Sequence, residues 1–144
     1  MKIQQKDKFH GAALTQIVEH PQFKALNKGT PKYGLYHLDN DKTVFVKYTA
    51  KTGSPWQFVF HPPDFPPIVK ELVNRRVFFC LVYPESICLL DADELKQLVD
   101  LNAHQEQWIR VEVNGPGASM RVRGSRGALG HAVAHNSFPQ KLFN

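Results

Sequence analysis

Residues 33–60, YGLYHLDNDKTVFVKYTAKTGSPWQFVF, decide the fold. They hold three aromatic-rich segments in quick succession, Tyr33–Leu38, Thr43–Tyr48 and Pro55–Phe60. β-Branched and aromatic side chains suit a pleated, half-buried surface, so each segment reads as a strand. Asp39-Asn40-Asp41-Lys42 joins the first two with residues suited to a tight turn. The middle segment sets Val44, Val46 and Tyr48 against Thr43, Phe45 and Lys47. Apolar residues on both faces predict a central strand covered on both sides. The third segment puts Trp56, Phe58 and Phe60 on one face.

Outward from this stretch, Ala13, Leu14, Ile17 and Val18 form one apolar stripe and predict a helix from about Phe9 to His20. Pro21 stops it, and Phe23 and Leu26 are expected to add one further turn before a loop at Lys28-Gly29-Thr30-Pro31. Pro62-Pro63-Asp64-Phe65-Pro66-Pro67 leads rigidly into a second helix with Ile68, Val69, Leu72 and Val73 on its buried side. Val77–Tyr83 and Ile87–Leu90 read as a strand pair. Asp91 with Glu94 three residues later starts a third helix through a capping box. Trp108–Val113 and Ala118–Arg123 flank Asn114-Gly115-Pro116-Gly117 and predict a last hairpin. Phe138, Leu142 and Phe143 are expected to anchor the end of the Gly/Ser/Ala-rich tail that follows. The expected fold is therefore a single α+β domain with a mixed central sheet. Its αβββαβ core covers about residues 9–113, and a basic C-terminal hairpin and tail cover about 107–144.

The 144 residues, 42% apolar, suffice for one domain with a real core. No apolar run reaches the roughly 20 residues that cross a bilayer. The first residues, Met1–Lys8, are polar rather than a signal segment. A cytoplasmic protein with no membrane partner is the expectation. Cys80 and Cys88 sit in apolar strands and are expected to be buried, reduced thiols. The net charge of +5 makes a polyanion such as nucleic acid a natural partner. Its distribution is uneven: from residue 110 onward Arg110, Arg121, Arg123, Arg126 and Lys141 face only Glu112.

The helix-strand-strand-strand-helix-strand order through Tyr83 resembles the core of the PD-(D/E)XK nuclease-like superfamily, over somewhat more than half the chain. That resemblance implies a divalent metal held by an acid on one strand and by the acid of an acid-x-Lys triplet, with the lysine assisting water activation. Here Phe45-Val46-Lys47 keeps the lysine but has phenylalanine in place of the acid, and Gln57-Phe58-Val59 offers neither. Catalysis with Mg²⁺ would then have to use Lys47 with Asp41 or Asp39 and with Glu19 from the first helix. Lys47-Tyr48-Thr49, Pro55-Trp56-Gln57-Phe58 and Asn136-Ser137-Phe138-Pro139 also look like a family of small uncharacterised bacterial proteins, a likeness that implies no activity.

Arginine forks fit phosphate oxygens and an exposed indole stacks on a base. Trp108, Arg110, Arg121 and Arg123, with Arg126 in the following turn, are thus the expected nucleic-acid-binding group. His131 and His135 have the spacing of two zinc ligands on a helix, but no glutamate follows His131 and no third ligand lies near. The leading expectation is a catalytically degenerate, nuclease-like module that binds DNA or RNA without a cofactor. The alternatives are a metal-dependent nuclease with unorthodox ligands, and a module that meets a protein partner or a second copy through an exposed Trp56/Phe58/Phe60 face.

Overall fold

The computed structural model describes residues 1–29 and 34–144. Tyr33, expected to open the first aromatic strand, and Thr30-Pro31 of the preceding loop lie outside the described residues. The chain runs α1 (Gln5–Val18), β1 (Leu26–Lys28), β2 (Leu35–Leu38), β3 (Lys42–Tyr48), β4 (Trp56–Phe60), α2 (Phe65–Leu72), β5 (Arg76–Tyr83), β6 (Ser86–Asp91), α3 (Ala92–Leu98), β7 (Gln107–Glu112) and β8 (Arg121–Gly124).

This is an α+β chain with two sheets rather than one. The first is mixed, in the order β1-β2-β3-β5-β6, with β3 and β5 parallel and the other neighbours antiparallel. The second is antiparallel, in the order β4-β7-β8. The expectation of one central sheet with an appended hairpin is corrected on this point. Trp56–Phe60 leaves its sequence neighbours and pairs with β7, Phe58 opposite Ile109, so the hairpin gains a third strand. Leu26–Lys28 is also corrected: it is a strand, with Leu26 opposite Leu38, and not a helical turn. The Asp39 carboxylate accepts the N–H groups of Lys24 and Ala25 and draws that segment to the edge of β2.

Packing explains the split. One face of the five-stranded sheet presents Phe45, Phe79, Leu81 and Tyr83 to the inner face of the three-stranded sheet, Trp56, Phe58, Phe60, Ile109, Val111 and Val122. Phe65 and Ile68 of α2 and Leu95 and Leu98 of α3 complete this core. Trp56 stacks on Tyr83 with ring centroids 3.9 Å apart, and Phe45 on Phe79 at 4.9 Å. Each such ring removed from water contributes about 2–3 kcal/mol. The opposite face, Val44, Val46, Phe78, Cys80 and Val82, is covered by Ala13 and Ile17 of α1 and by Phe138 and Leu142 of the tail. β3 and β5 are thus covered on both sides, as their apolar runs require.

Local signals hold where they are strongest. Asp91 Oδ1 accepts the Glu94 N–H at 2.9 Å and Glu94 Oε1 accepts the Asp91 N–H at 3.0 Å, the reciprocal cap expected for α3. Glu94 is buried, and it also binds Lys141 Nζ at 2.8 Å and His131 Nε2 at 2.8 Å, tying the tail to α3. Cys80 and Cys88 are buried and free. Cys88 lies opposite Leu81 rather than Cys80, so the two thiols fall in different cores.

Candidate nucleic-acid interface and the adjoining cleft

Alternation along β7 is strict: Gln107, Ile109 and Val111 are buried while Trp108, Arg110 and Glu112 are half-exposed. On β8 the phase continues, with Val122 buried and Arg121 and Arg123 exposed. Gln57 and Val59 of β4 share the same outer phase. Register converts these phases into rows on one open face. Val59 lies beside Trp108, Gln57 beside Arg110 and then Arg123, and Glu112 beside Arg121.

The rows are tied laterally. Arg110 donates to Gln57 Oε1 at 2.9 Å, and its guanidinium lies 5.0 Å from the Trp108 ring centroid. Arg123 approaches the Glu112 carboxylate at only 4.0 Å. Three guanidinium groups therefore meet one carboxylate on a face whose side chains are half-exposed or exposed. Ser125 fixes the far end: its Oγ accepts the Trp108 N–H at 2.7 Å, and its own N–H donates to the Trp108 carbonyl at 3.0 Å. Arg126 does not join the face. Its Nη1 donates to the Lys96 carbonyl at 3.4 Å, where it caps the end of α3.

A cleft of about 380 Å³ opens along the β4 edge of this face, where the two sheets diverge. Lys47 stands in it because it shares the phase of Phe45, two residues before, and so points between the sheets. Its ammonium donates to the Val59 carbonyl at 2.8 Å, lies 4.7 Å over the Phe60 ring, and is 3.8 Å from Asp64. Its side chain is 29% exposed. Burial lowers its pKa, and the Asp64 charge only partly opposes this. Lys6 and His10 of α1 form the far wall. His10 Nδ1 sits 3.0 Å from the Tyr36 hydroxyl, and burial, with the Lys6 charge, keeps its pKa below the usual value. A side chain at Gly34 would strike the Val46 carbonyl at 2.5 Å and the His10 ring at 2.9 Å, so this wall needs glycine there.

The residues expected for a nuclease are not brought together. Asp41 and Lys47 lie near opposite ends of β3, about 20 Å apart at a strand's rise of ~3.3 Å per residue. Asp39 and Asp41 both pair with Lys42 instead, and Glu19 is exposed just beyond the end of α1. Asp64 is the acid nearest Lys47. His131 and His135 diverge as well: the first binds Glu94, and the second binds Ser86 Oγ and the Ala118 carbonyl, each at 2.8 Å. Among the described residues no three His, Cys, Asp or Glu side chains are grouped to hold a metal ion.

Trp56, Phe58 and Phe60 are 4%, 3% and 0% exposed. The aromatic surface that an interaction module would present is therefore turned inward. Gln57, Asp64, Lys6 and His10 escaped the sequence reading. The alternation around Phe58 did place Gln57 outward, and the acid amid the prolines at Asp64 marked a helix lead. The meeting of Lys6 and His10 with β4 follows only from tertiary packing. None of the described helices is long and apolar enough to cross a membrane. This chain matches no protein-family model, no curated protein and no solved structure.

Proposed function

We propose that this protein binds single-stranded nucleic acid on the outer face of its three-stranded sheet. The observation that carries the reading is the convergence of Trp108, Arg110, Arg121 and Arg123 on one solvent-facing surface, drawn from two strands in fixed register. A sheet face with one half-exposed indole flanked by guanidinium groups offers a stacking platform beside phosphate contacts. Unstacked bases lie on such a surface, whereas a duplex keeps its base faces hidden. Single strands of DNA or RNA are therefore favoured over duplexes.

The degenerate nuclease-like scaffold stays within this proposal as an element order alone: α1 precedes β2, β3 and β4, and α2 precedes β5. What speaks for binding rather than cleavage is the separation of Asp41 and Glu19 from Lys47. Fluorescence anisotropy with labelled single-stranded and duplex oligonucleotides of equal length tests the reading. Tighter single-strand binding that weakens with salt is expected. Equal affinity for both forms, or no binding at 50 mM salt, would remove it.

A further inference from the structure

Among the described residues β4 is an edge strand of its sheet, and its outer edge faces the cleft. The geometry fixes which backbone groups point there. The Trp108 N–H and carbonyl both engage Ser125, away from β4, so the Val59–Trp108 pair exchanges no backbone hydrogen bond. In an antiparallel pair both polar groups of one residue point to the same side, and the side reverses at the next residue. Val59 and, two residues earlier, Gln57 thus direct N–H and C=O into the cleft. The bond from Lys47 Nζ to the Val59 carbonyl is consistent with this.

The cleft walls differ in kind. Phe45, Phe79 and Ile68 close the bottom with carbon, and Tyr48 stands at the side, stacked on Phe9 at 5.1 Å. At the β4 edge stand the N–H groups of Gln57 and Val59, the Gln57 carbonyl and Lys47. An ammonium has three donors; the Val59 carbonyl engages one of them, and Asp64, at 3.8 Å, balances its charge without a hydrogen bond. The lining is thus apolar below and donor-rich along one edge. Its volume lies at the small end of ligand pockets, about 300–1,000 Å³. Gln57 and Val59 also belong to the outer sheet face, so a strand crossing β8, β7 and β4 arrives at the cleft mouth.

We propose that this cleft is a base pocket, taking one unstacked nucleobase of the bound strand and reading its edge with the β4 backbone and Lys47. The inference rests on the sheet-face reading and adds selectivity at one position. Along β4 itself two backbone N–H groups and the Lys47 ammonium stand against one free carbonyl, that of Gln57, so bases with carbonyl oxygens (thymine, uracil, guanine, and cytosine through O2) fit better than adenine, which has none.

The test uses a thymidine hexanucleotide and six variants with a single adenine walked along it, together with amide chemical-shift mapping. Binding is expected to weaken by roughly tenfold when adenine occupies one particular position, and little at the others. The Gln57 and Val59 amide resonances should move along with the Trp108 indole signal. In Lys47→Met the positional penalty should fall to about twofold while the salt dependence set by the arginines persists. A uniform response to adenine at all positions, or unmoved Gln57 and Val59 amides while the Trp108 signal shifts, overturns the pocket and leaves the sheet face standing. An unmoved Trp108 signal overturns the sheet face itself and the inference with it. Thymidine monophosphate moving the cleft amides as strongly as the hexanucleotide, without the Trp108 shift, would make the site one for a free nucleotide and refute its link to a strand.

Discussion

Replacing Arg121 and Arg123 together by alanine should flatten the salt dependence of binding without unfolding the protein. Both side chains are exposed on β8, and among the described residues the carboxylate that approaches them is that of Glu112, 4.0 Å from Arg123. A single-strand phosphate neutralised by one cation contributes about −0.7 to the slope of log K against log salt. Three guanidinium groups then predict a slope of about −2, and the double variant should retain about −0.7. Taking these contacts as lost near 1 M salt, the difference of about 1.4 log units per decade corresponds to about 25-fold weaker binding at 0.1 M. Glu112 sharpens the test. With Arg123 gone its carboxylate faces the phosphates unpaired, so Glu112→Gln in the double variant should recover part of the loss. Anisotropy titrations at five salt concentrations, with urea unfolding as a control, give both quantities. An unchanged slope in a folded double variant would refute the placement of the phosphates on this face.

Trp108→Ala should weaken single-strand binding by about 1–3 kcal/mol, the value of one base–aromatic stack, and Trp108→Phe should recover part of it in the same titration. Trp56 is buried against Tyr83, so fluorescence quenching on binding should come from Trp108 and vanish in the alanine variant. Gly124→Ala should cost about 1–3 kcal/mol in urea unfolding, because the new methyl would lie 2.3 Å from the Leu98 carbonyl and 2.9 Å from that of Trp108. Stability should also depend on pH through two lysines with opposite signs. Lys47 has a folded pKa below its unfolded value near 10.5, so its burden on the fold is present at neutral pH and is relieved as pH rises toward 10.5. Lys141 has a folded pKa above 10.5, raised by Glu94 and Asp91 against the opposing effect of burial, and its stabilisation is lost as pH climbs past that value. Urea midpoints between pH 8 and 11 should therefore rise in the wild type relative to Lys47→Met and fall relative to Lys141→Met. Parallel curves for all three proteins would contradict the assignment.

Local chemistry was legible in the sequence, and pairing was not. Asp91 and Glu94 spell a capping box within four residues, and the structure shows both of its hydrogen bonds. The alternation of Trp108, Arg110 and Glu112 against Ile109 and Val111 settled which side chains share a face before any partner strand was known. Trp56–Phe60 shows the limit. Its alternation states that one face is apolar, and both sheets offer an apolar face to bury it. The choice falls to β7, whose Ile109 and Val111 lie opposite Phe58 and Trp56 but some fifty residues away. Arg126 shows the same limit for function: its position after β8 suggested membership of the basic face, whereas the turn at Ser125 directs it to the carbonyl of Lys96.

Lys47 is the residue where stability and site pull apart. A strand whose Val44, Phe45 and Val46 face two apolar cores would be more stable with an apolar side chain at position 47, since a partly desolvated ammonium carries a penalty that one carboxylate at 3.8 Å offsets only in part. The surroundings do not remove that ammonium from use. Val59 supplies one acceptor and Phe60 a ring face, and the ammonium lines the cleft beside the edge of β4. Arg121 and Arg123, by contrast, sit in water at little cost and, on the proposed face, would hold sequence-blind phosphates equally well wherever they lie. Positive charge has thus been distributed in two forms, cheap and exposed on β8, costly and oriented between the sheets. Only the second has the fixed geometry that the proposed reading of one base against another would require.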